Sequence, residues 1–244
     1  MKLGVSLPVF TADPARPLAV AARAHELGVD GVFSPDHFFP PIFYPPSGPD
    51  RPALEAFSVL SAVAARHPGM HVGTMVARVT LRPPGILAKQ AAALDAMSGG
   101  NAILALGTGD RASLPEHERY GIPFPPVADR LALLEQTVEA LRDLFAGRSY
   151  PGGSHVPPLA GPLLPPGAPA VWVGGLSDPV VAIAGRVGRE NRQRDAQLHD
   201  AGSRARSSSS NAIVAAPMPP ASFTSEAATI GTSGLKAAPS TERE

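Results

Sequence analysis

The chain has 244 residues, with 21 basic and 21 acidic side chains and therefore a formal net charge of zero. That length suits one large domain or a domain with a tail, and the balanced charge lacks the basic footprint of a general nucleic-acid binder or a polybasic membrane patch. No cysteine is present, which excludes disulfides, thiolate zinc sites and a cysteine nucleophile.

The first apolar run, Leu3–Leu7, reads as a strand, and Pro14–Leu27 as a helix closed by Gly28. Gly31–Ser34 is a second strand. A helix over Ala53–Arg66 follows Pro52 and stops before Pro68, with Leu54, Phe57, Leu60 and Ala64 on one face. His71–Val76 is a third strand, and Pro84–Met97 a helix ended by Gly99-Gly100. Ala102–Leu106 is a fourth strand. Ser113 and Glu116 have capping-box spacing over a short turn before Gly121. Val127–Ala146 carries Leu131, Leu134, Val138, Leu141 and Phe145 at helical spacing and ends at Gly147. Val171–Val173 is a fifth strand, after which Ser177 caps a helix over Asp178–Val187.

Beyond Gly188 the character changes. Large apolar side chains thin out to Leu198, Ile213, Val214, Phe223, Ile230 and Leu235, and Ser207–Ser210 is a four-serine run. So little apolar surface does not offset the entropy of ordering, and residues 189–244 are expected to be a disordered, low-complexity tail. The alternative there is a short strand at Ala212–Ala216. No run approaches the roughly 18 apolar residues of a membrane span, and Met1–Pro8 does not read as a leader. The expectation is a cytoplasmic protein with no membrane or nucleic-acid partner.

Five strand–helix units without a hairpin signal predict an α/β fold with a parallel sheet, open or closed into a barrel. A Rossmann turn would need glycines after the first strand, where the sequence is Leu7-Pro8-Val9-Phe10. Gly107-Thr108-Gly109-Asp110-Arg111-Ala112 does fit G-x-G-x-x-A, but Leu114-Pro115 follows instead of an uninterrupted helix.

Polar residues and glycines gather where strands end. Strand two runs into Ser34-Pro35-Asp36-His37, strand three through Thr74-Met75 to Arg78, strand four into Gly107-Thr108-Gly109-Asp110, and strand five into Gly174-Gly175. In a parallel barrel these ends share the face that carries active sites. His37 beside Asp36 pairs an imidazole with a carboxylate, a proton-transfer arrangement. Gly174-Gly175 before a helix start offers bare N–H groups to a phosphate. Each also has a structural reading: a loop histidine, an Asx turn, a tight turn, and a cap at Asp110.

These stretches, with Gly73-Thr74, Arg82-Pro83-Pro84, Ser98-Gly99-Gly100 and Pro162–Pro166 before Val171-Trp172-Val173, resemble the bacterial luciferase-like monooxygenase superfamily. The branch using the deazaflavin coenzyme F-420 is the most similar. The resemblance covers residues 1–188 and implies a (β/α) TIM-barrel type of fold. It also implies a flavin- or deazaflavin-dependent oxidoreductase acting on a small molecule with coenzyme F-420 (an 8-hydroxy-5-deazaflavin) or FMN.

Residue by residue, it implies that His37 is the general acid/base and that Asp36 lies near the reactive ring. Thr74-Met75 is implied to form the bulge that backs the ring, in relatives often with a cis non-prolyl peptide. Gly107, Thr108 and Gly109 are implied to lie beside the ring. Asp110 stands where some relatives carry a catalytic Glu, one methylene longer. Gly174 and Gly175 are implied to bind phosphate through the backbone. No metal is implied.

Five units by Gly175, at about 35 residues each, leave too little chain for eight. The expectation is therefore an incomplete barrel of about five of eight units, truncated or frameshifted after about residue 188. Arginine supplies all but Lys2, Lys89 and Lys236 of the basic residues, as a GC-rich gene would. Open strand edges would leave such a chain unstable unless it dimerises. Two other functional readings remain, a catalytically inactive barrel remnant and a metal-assisted barrel hydrolase. For the second, only Asp36, His37 and Asp110 stand at strand ends.

Overall fold

The computed structural model describes residues 3–42 and 44–187. The expected tail over residues 189–244, with its candidate strand, lies outside the described residues. Six strands form one parallel sheet: β1 (Gly4–Ser6), β2 (Gly31–Ser34), β3 (His71–Thr74), β4 (Ala77–Arg78), β5 (Ala102–Gly107) and β6 (Ala170–Val173). The main neighbours run β1-β2-β3-β5-β6, and the two-residue β4 pairs with the end of β5. Between them lie α1 (Ala15–Glu26), α2 (Ala56–Arg66), α3 (Pro84–Met97), α4 (Leu114–Tyr120) and α5 (Val127–Phe145), followed by α6 over 178–187.

The expected third strand, His71–Val76, is divided. β3 stops at Thr74, the Met75–Val76 peptide is cis, and β4 resumes at Ala77. The α2 helix starts three residues later than its apolar pattern suggests. Glu55 caps it, accepting from Ser58 N at 2.7 Å, and Ala53 and Leu54 lie outside the helix.

Alternation along the strands divides the apolar residues between two faces. Val32, Val72, Leu104, Leu106, Val171 and Val173 pack outward on the helices, against Leu60, Val63, Leu87, Leu134, Leu141 and Ile183. The inner face carries Phe33, Ile103 and Trp172, with the Phe33 and Trp172 rings stacked at 6.1 Å. Space for those rings comes from missing side chains. A Cβ on Gly73 would sit 2.7 Å from the Ile103 carbonyl oxygen and 2.9 Å from the Phe33 ring. Register makes this unavoidable, because Gly73 lies beside Phe33 on one side and Ile103 on the other.

The proline-rich stretch from Tyr150 to Pro169 suggests a lid by composition. It packs along the outside of α3 and α5: Gln136 Oε1 accepts from His155 N and Val156 N, His155 reaches Asp129 in the first turn of α5, and Lys89 Nζ donates to the Leu164 carbonyl oxygen. Tyr150 and Leu159 form an antiparallel bridge, and Tyr150 and Val156 pack beside Ala140 of α5. Ala168 N donates to the buried Asp95 carboxylate at 3.1 Å, and the same carboxylate accepts from Ala102 N, at the start of β5. The segment therefore ends at the strand starts, away from the face where the strands end. Residues 38–42 and 44–52, by contrast, follow the C-terminal end of β2 and lie at that face.

Gly73→Ala is expected to lower stability by about 1–3 kcal/mol, the usual range for overpacking. Gly85→Ala, in α3 with its nearest neighbour atom 3.8 Å from the added Cβ, is expected to leave melting unchanged or raise stability by up to about 1 kcal/mol. Thermal melts of both variants check this, and equal melting temperatures would contradict the packing account.

Candidate active site

The strands end in register. Ser34 pairs with Thr74, Arg78 with Gly107, and Leu106 with Val173. Asp36, His37, Met75, Arg78, Thr108 and Gly174 thus leave the sheet at one face.

Asp36 is buried, and its charge is met in full. Arg82 forks onto it, with Nη1 to Oδ2 at 2.7 Å and Nη2 to Oδ1 at 2.9 Å, and Arg78 N donates to Oδ2 at 3.0 Å. Burial works against the Arg82 charge, but the Asp36 contact outweighs it and raises the guanidinium above its ordinary value. Arg82 in turn lies over the Phe57 ring at 5.1 Å and 3.6 Å from Glu55. The Asp36 carboxylate therefore ties the end of β2 to the start of α2 and to the link between β4 and α3.

His37 meets a residue with no apparent role in the sequence beyond capping. Its Nδ1 lies 2.5 Å from Glu116 Oε1, while Glu116 Oε2 accepts from Phe38 N at 2.6 Å and from Arg78 Nη2 at 2.7 Å. Glu116 has no exposed surface. The capping box expected of Ser113 and Glu116 does not form. Ser113 makes no cap bond to α4 and donates instead to Asp110 Oδ1 at 3.3 Å. Burial alone would push the Glu116 carboxyl up, but His37, Arg78 and the Phe38 N–H outweigh it and hold it below its ordinary value. Arg78 also donates from Nε to the Asp36 carbonyl oxygen at 2.8 Å, so one guanidinium spans both acidic centres.

The neighbouring His117 is a structural histidine. Its ring is buried against Phe124 at 4.7 Å, Nδ1 donates to the Pro123 carbonyl oxygen at 3.1 Å, and Nε2 faces Thr80 Oγ1. Burial, and then the Arg78 charge, push it below its ordinary value.

The remaining sequence-predicted residues fall into three groups. Met75 is 50% exposed and adjoins the cis peptide at Met75–Val76. Thr74 is fully buried and turns its hydroxyl into the sheet, donating to the Ala105 carbonyl oxygen at 2.8 Å. Thr108 Oγ1 donates to the Gly109 carbonyl oxygen, Gly109 has φ +70°, and Asp110 is exposed and joined to Ser113. No hydrogen bond links Asp110 to His37.

The glycines at the ends of β5 and β6 answer to packing. A Cβ on Gly107 would meet Val76 Cγ2 at 2.5 Å, one on Gly174 Val76 Cγ1 at 2.7 Å, and one on Gly175 Val180 Cγ1 at 2.8 Å. Gly174 N is taken by the Leu106 carbonyl oxygen. The N–H groups of Gly175, Leu176 and Ser177 make no hydrogen bond among the described residues, and they precede α6. Among the described residues no cluster of three or more His, Asp or Glu side chains stands close enough to hold a metal ion. No described helix is long and apolar enough to cross a membrane.

Residues 1–190 match the family described as luciferase-like monooxygenase. The chain belongs to that family. Among curated relatives, an F-420-dependent glucose-6-phosphate dehydrogenase of Kineococcus radiotolerans is 31% identical over 147 residues, 60% of this chain and 41% of the relative. The chain thus spans about two fifths of the curated relatives it matches. Among solved structures, an F-420-dependent secondary alcohol dehydrogenase, in complex with an F-420–acetone adduct, superposes with a TM-score of 0.62 at 22% identity. That match covers 77% of this chain and 56% of the other. A riboflavin lyase with modified FMN and riboflavin gives 0.62 at 17% identity, over 88% and 62%. These likenesses show the fold, the parallel (β/α) arrangement of luciferase-like enzymes, of which the described residues comprise five strand–helix units.

Stability should fall on mild acidification. His117 and Glu116 both have folded values below their unfolded ones, so each contribution is complete above the unfolded value and is lost as pH falls toward the folded one. For His117 the loss begins near its unfolded value of 6.5, and for Glu116 near 4.5. Half-buried His67 adds with the same sign. Melting temperature is expected to be level above about pH 7 and to decline below it, with at most about 1.4 kcal/mol per pH unit for each proton. The decline between pH 6.5 and 5 should be shallower in His117→Gln. An equal slope in the variant would remove His117 from the account.

Proposed function

We propose that the chain forms the coenzyme-facing portion of an oxidoreductase. It would exchange a hydride between coenzyme F-420 and a small organic molecule, with His37 moving the accompanying proton. FMN is the alternative ring. The observation that carries this reading is the placement of His37. An imidazole is clamped after the end of β2, on the same face as the half-exposed Met75 after β3, the face where barrel enzymes of this kind work.

The residues fit such a coenzyme. The Val76 side chain, next to Met75 in the chain, lies against Gly107 and Gly174 at the ends of β5 and β6 and makes an apolar wall there. The N–H groups of residues 175–177, unpaired among the described residues and just before a ten-residue helix, suit a phosphate. Exposed Arg111 stands near the same end of β5 for a further anionic group. When bound, the deazaflavin supplies a two-electron hydride acceptor and donor. The protein's part is to hold Met75 against the ring, to hold phosphate on 175–177, and to exchange a proton at His37.

In this reading Asp36 organises the loop that carries His37, because both of its oxygens are engaged by Arg82 and Arg78. Asp110, exposed and bonded to Ser113, is free to turn toward a bound substrate at the end of β5.

Titration of the purified chain with oxidised and reduced F-420, and separately with FMN, followed by absorbance, tests the binding. Glucose 6-phosphate and propan-2-ol serve as turnover probes with F-420. His37→Ala is expected to lower kcat by about 100- to 10,000-fold, the range for lost acid–base catalysis, with coenzyme affinity nearly unchanged. A folded chain that binds neither ring, or a His37→Ala variant with unaltered turnover, would sink the proposal.

A further inference from the structure

We infer that Glu116 is the positioning residue for His37, holding its ring as the Nδ1–H tautomer so that Nε2 faces the substrate as a bare proton acceptor. The inference rests on His37 being the proton carrier of the proposed reaction.

The geometry fixes a hydrogen on Nδ1, so the neutral ring has its free acceptor at Nε2. Phe38 N and Arg78 Nη2 can only donate, and both point at Glu116 Oε2. A carboxylate gripped by a cation and a backbone N–H in a site without solvent keeps its charge, and its lowered titration point agrees. The remaining oxygen, Oε1, is then an acceptor, so His37 Nδ1 carries the hydrogen of the 2.5 Å contact. Nε2 has no hydrogen-bond partner among the described residues, and the His37 side chain keeps 17% of its surface exposed.

The same carboxylate holds the ring through Nδ1 and the backbone one residue on through Phe38 N, so both the tilt and the position of the imidazole are set. Phe10 walls one side, with its ring edge-on at 6.3 Å. For oxidation of a secondary alcohol, the O–H bond breaks and its proton passes to Nε2. The C–H bond breaks with its electron pair, as hydride, to the oxidised deazaflavin, and the C=O bond forms. The imidazolium that results is stabilised by Glu116 at 2.5 Å. The opposite tautomer would carry a hydrogen on Nε2 and could not accept that proton.

The experiment reads the tautomer directly. In the 15N-labelled full chain, the His37 ring signals are those absent from His37→Gln. Wild type near pH 8 is expected to show Nδ1 protonated and Nε2 bare. Glu116→Gln keeps one oxygen, which Phe38 N–H and Arg78 retain, and turns its amide NH₂ toward Nδ1. The ring proton is then expected to move to Nε2, and kcat with propan-2-ol or glucose 6-phosphate to fall by about 100-fold or more with F-420 affinity within about twofold.

A wild-type ring protonated at Nε2 overturns the inference, and this arm needs no variant to fold. A swapped tautomer with unchanged kcat overturns it as well. Failure of the proposed function reads differently: neither coenzyme binds, or His37→Ala leaves turnover unaltered, while the wild-type tautomer is still Nδ1–H.

Discussion

Two carboxylates, Asp36 and Glu116, are buried where the strands end, and Arg78 stands between them with 3% of its surface exposed. Burying a charge costs several kcal/mol, and removing one member of a buried pair costs about 3–5 kcal/mol because the other is left uncompensated. Compensation here is chained. Arg82 neutralises Asp36, Arg78 neutralises Glu116, and Arg78 also donates from N to the Asp36 carboxylate and from Nε to the Asp36 carbonyl oxygen. No member can move alone. The chain of contacts reaches from β2 through β4 to α4 and binds three separate βα connections into one unit. The reactive-face geometry, including the position of His37, is the by-product of satisfying those charges.

The sheet below supplies the rigid base for this unit. Its outer face is a layer of Val and Leu against helices, which any α/β fold requires. Its inner face is different: Gly4, Gly31 and Gly73 pack against Phe33, His71 and Ile103, with no room for a Cβ. The large Phe33 ring therefore fixes the small residues around it, and the Phe33–Trp172 stack spans from β2 to β6. Among the described residues β1 pairs with β2 and β6 with β5, each on one side. The site lies over the middle strands β2, β3 and β5, whose ladders are complete on both sides.

The strands, the helices and their order are legible in the sequence because each is an apolar run or an amphipathic stripe ended by Gly or Pro. α3 matches its expected bounds, starting with Pro84 at N1 and ending before the left-handed Gly99. The face carrying the site is legible too, since strand ends in a parallel sheet share a side. The partners across that face are not. Glu116 sits 79 residues from His37, and its spacing from Ser113 offers a sufficient local explanation as a cap. A weaker signal did exist in Ala77-Arg78-Val79, where an arginine inside an apolar strand must find a buried acid. Which acid it finds depends on where α4 lies, and that is a tertiary fact. The proline-rich segment before β6 shows the same limit: composition marks it as irregular but does not say that it packs on the outside of α3 and α5 before reaching the strand starts.

Arginine content raises a last question of cause. A coding bias toward arginine is enough to explain why lysine is rare across the chain, and most of the described arginines are exposed. At positions 78 and 82 geometry is the stronger reason. Arg82 meets both oxygens of Asp36 at once while its flat face lies over Phe57, and an ammonium, being a point charge, could make one such bond but not the fork and the stack together. Arg78 directs Nε and Nη2 at two different residues, the Asp36 carbonyl and the Glu116 carboxylate. A lysine there would supply the charge and lose one of the two anchors, freeing the β2 loop from α4. The loop and α4 are the two elements that bring Nδ1 of His37 to Oε1 of Glu116. The planarity of one guanidinium is therefore what turns charge compensation into a fixed imidazole.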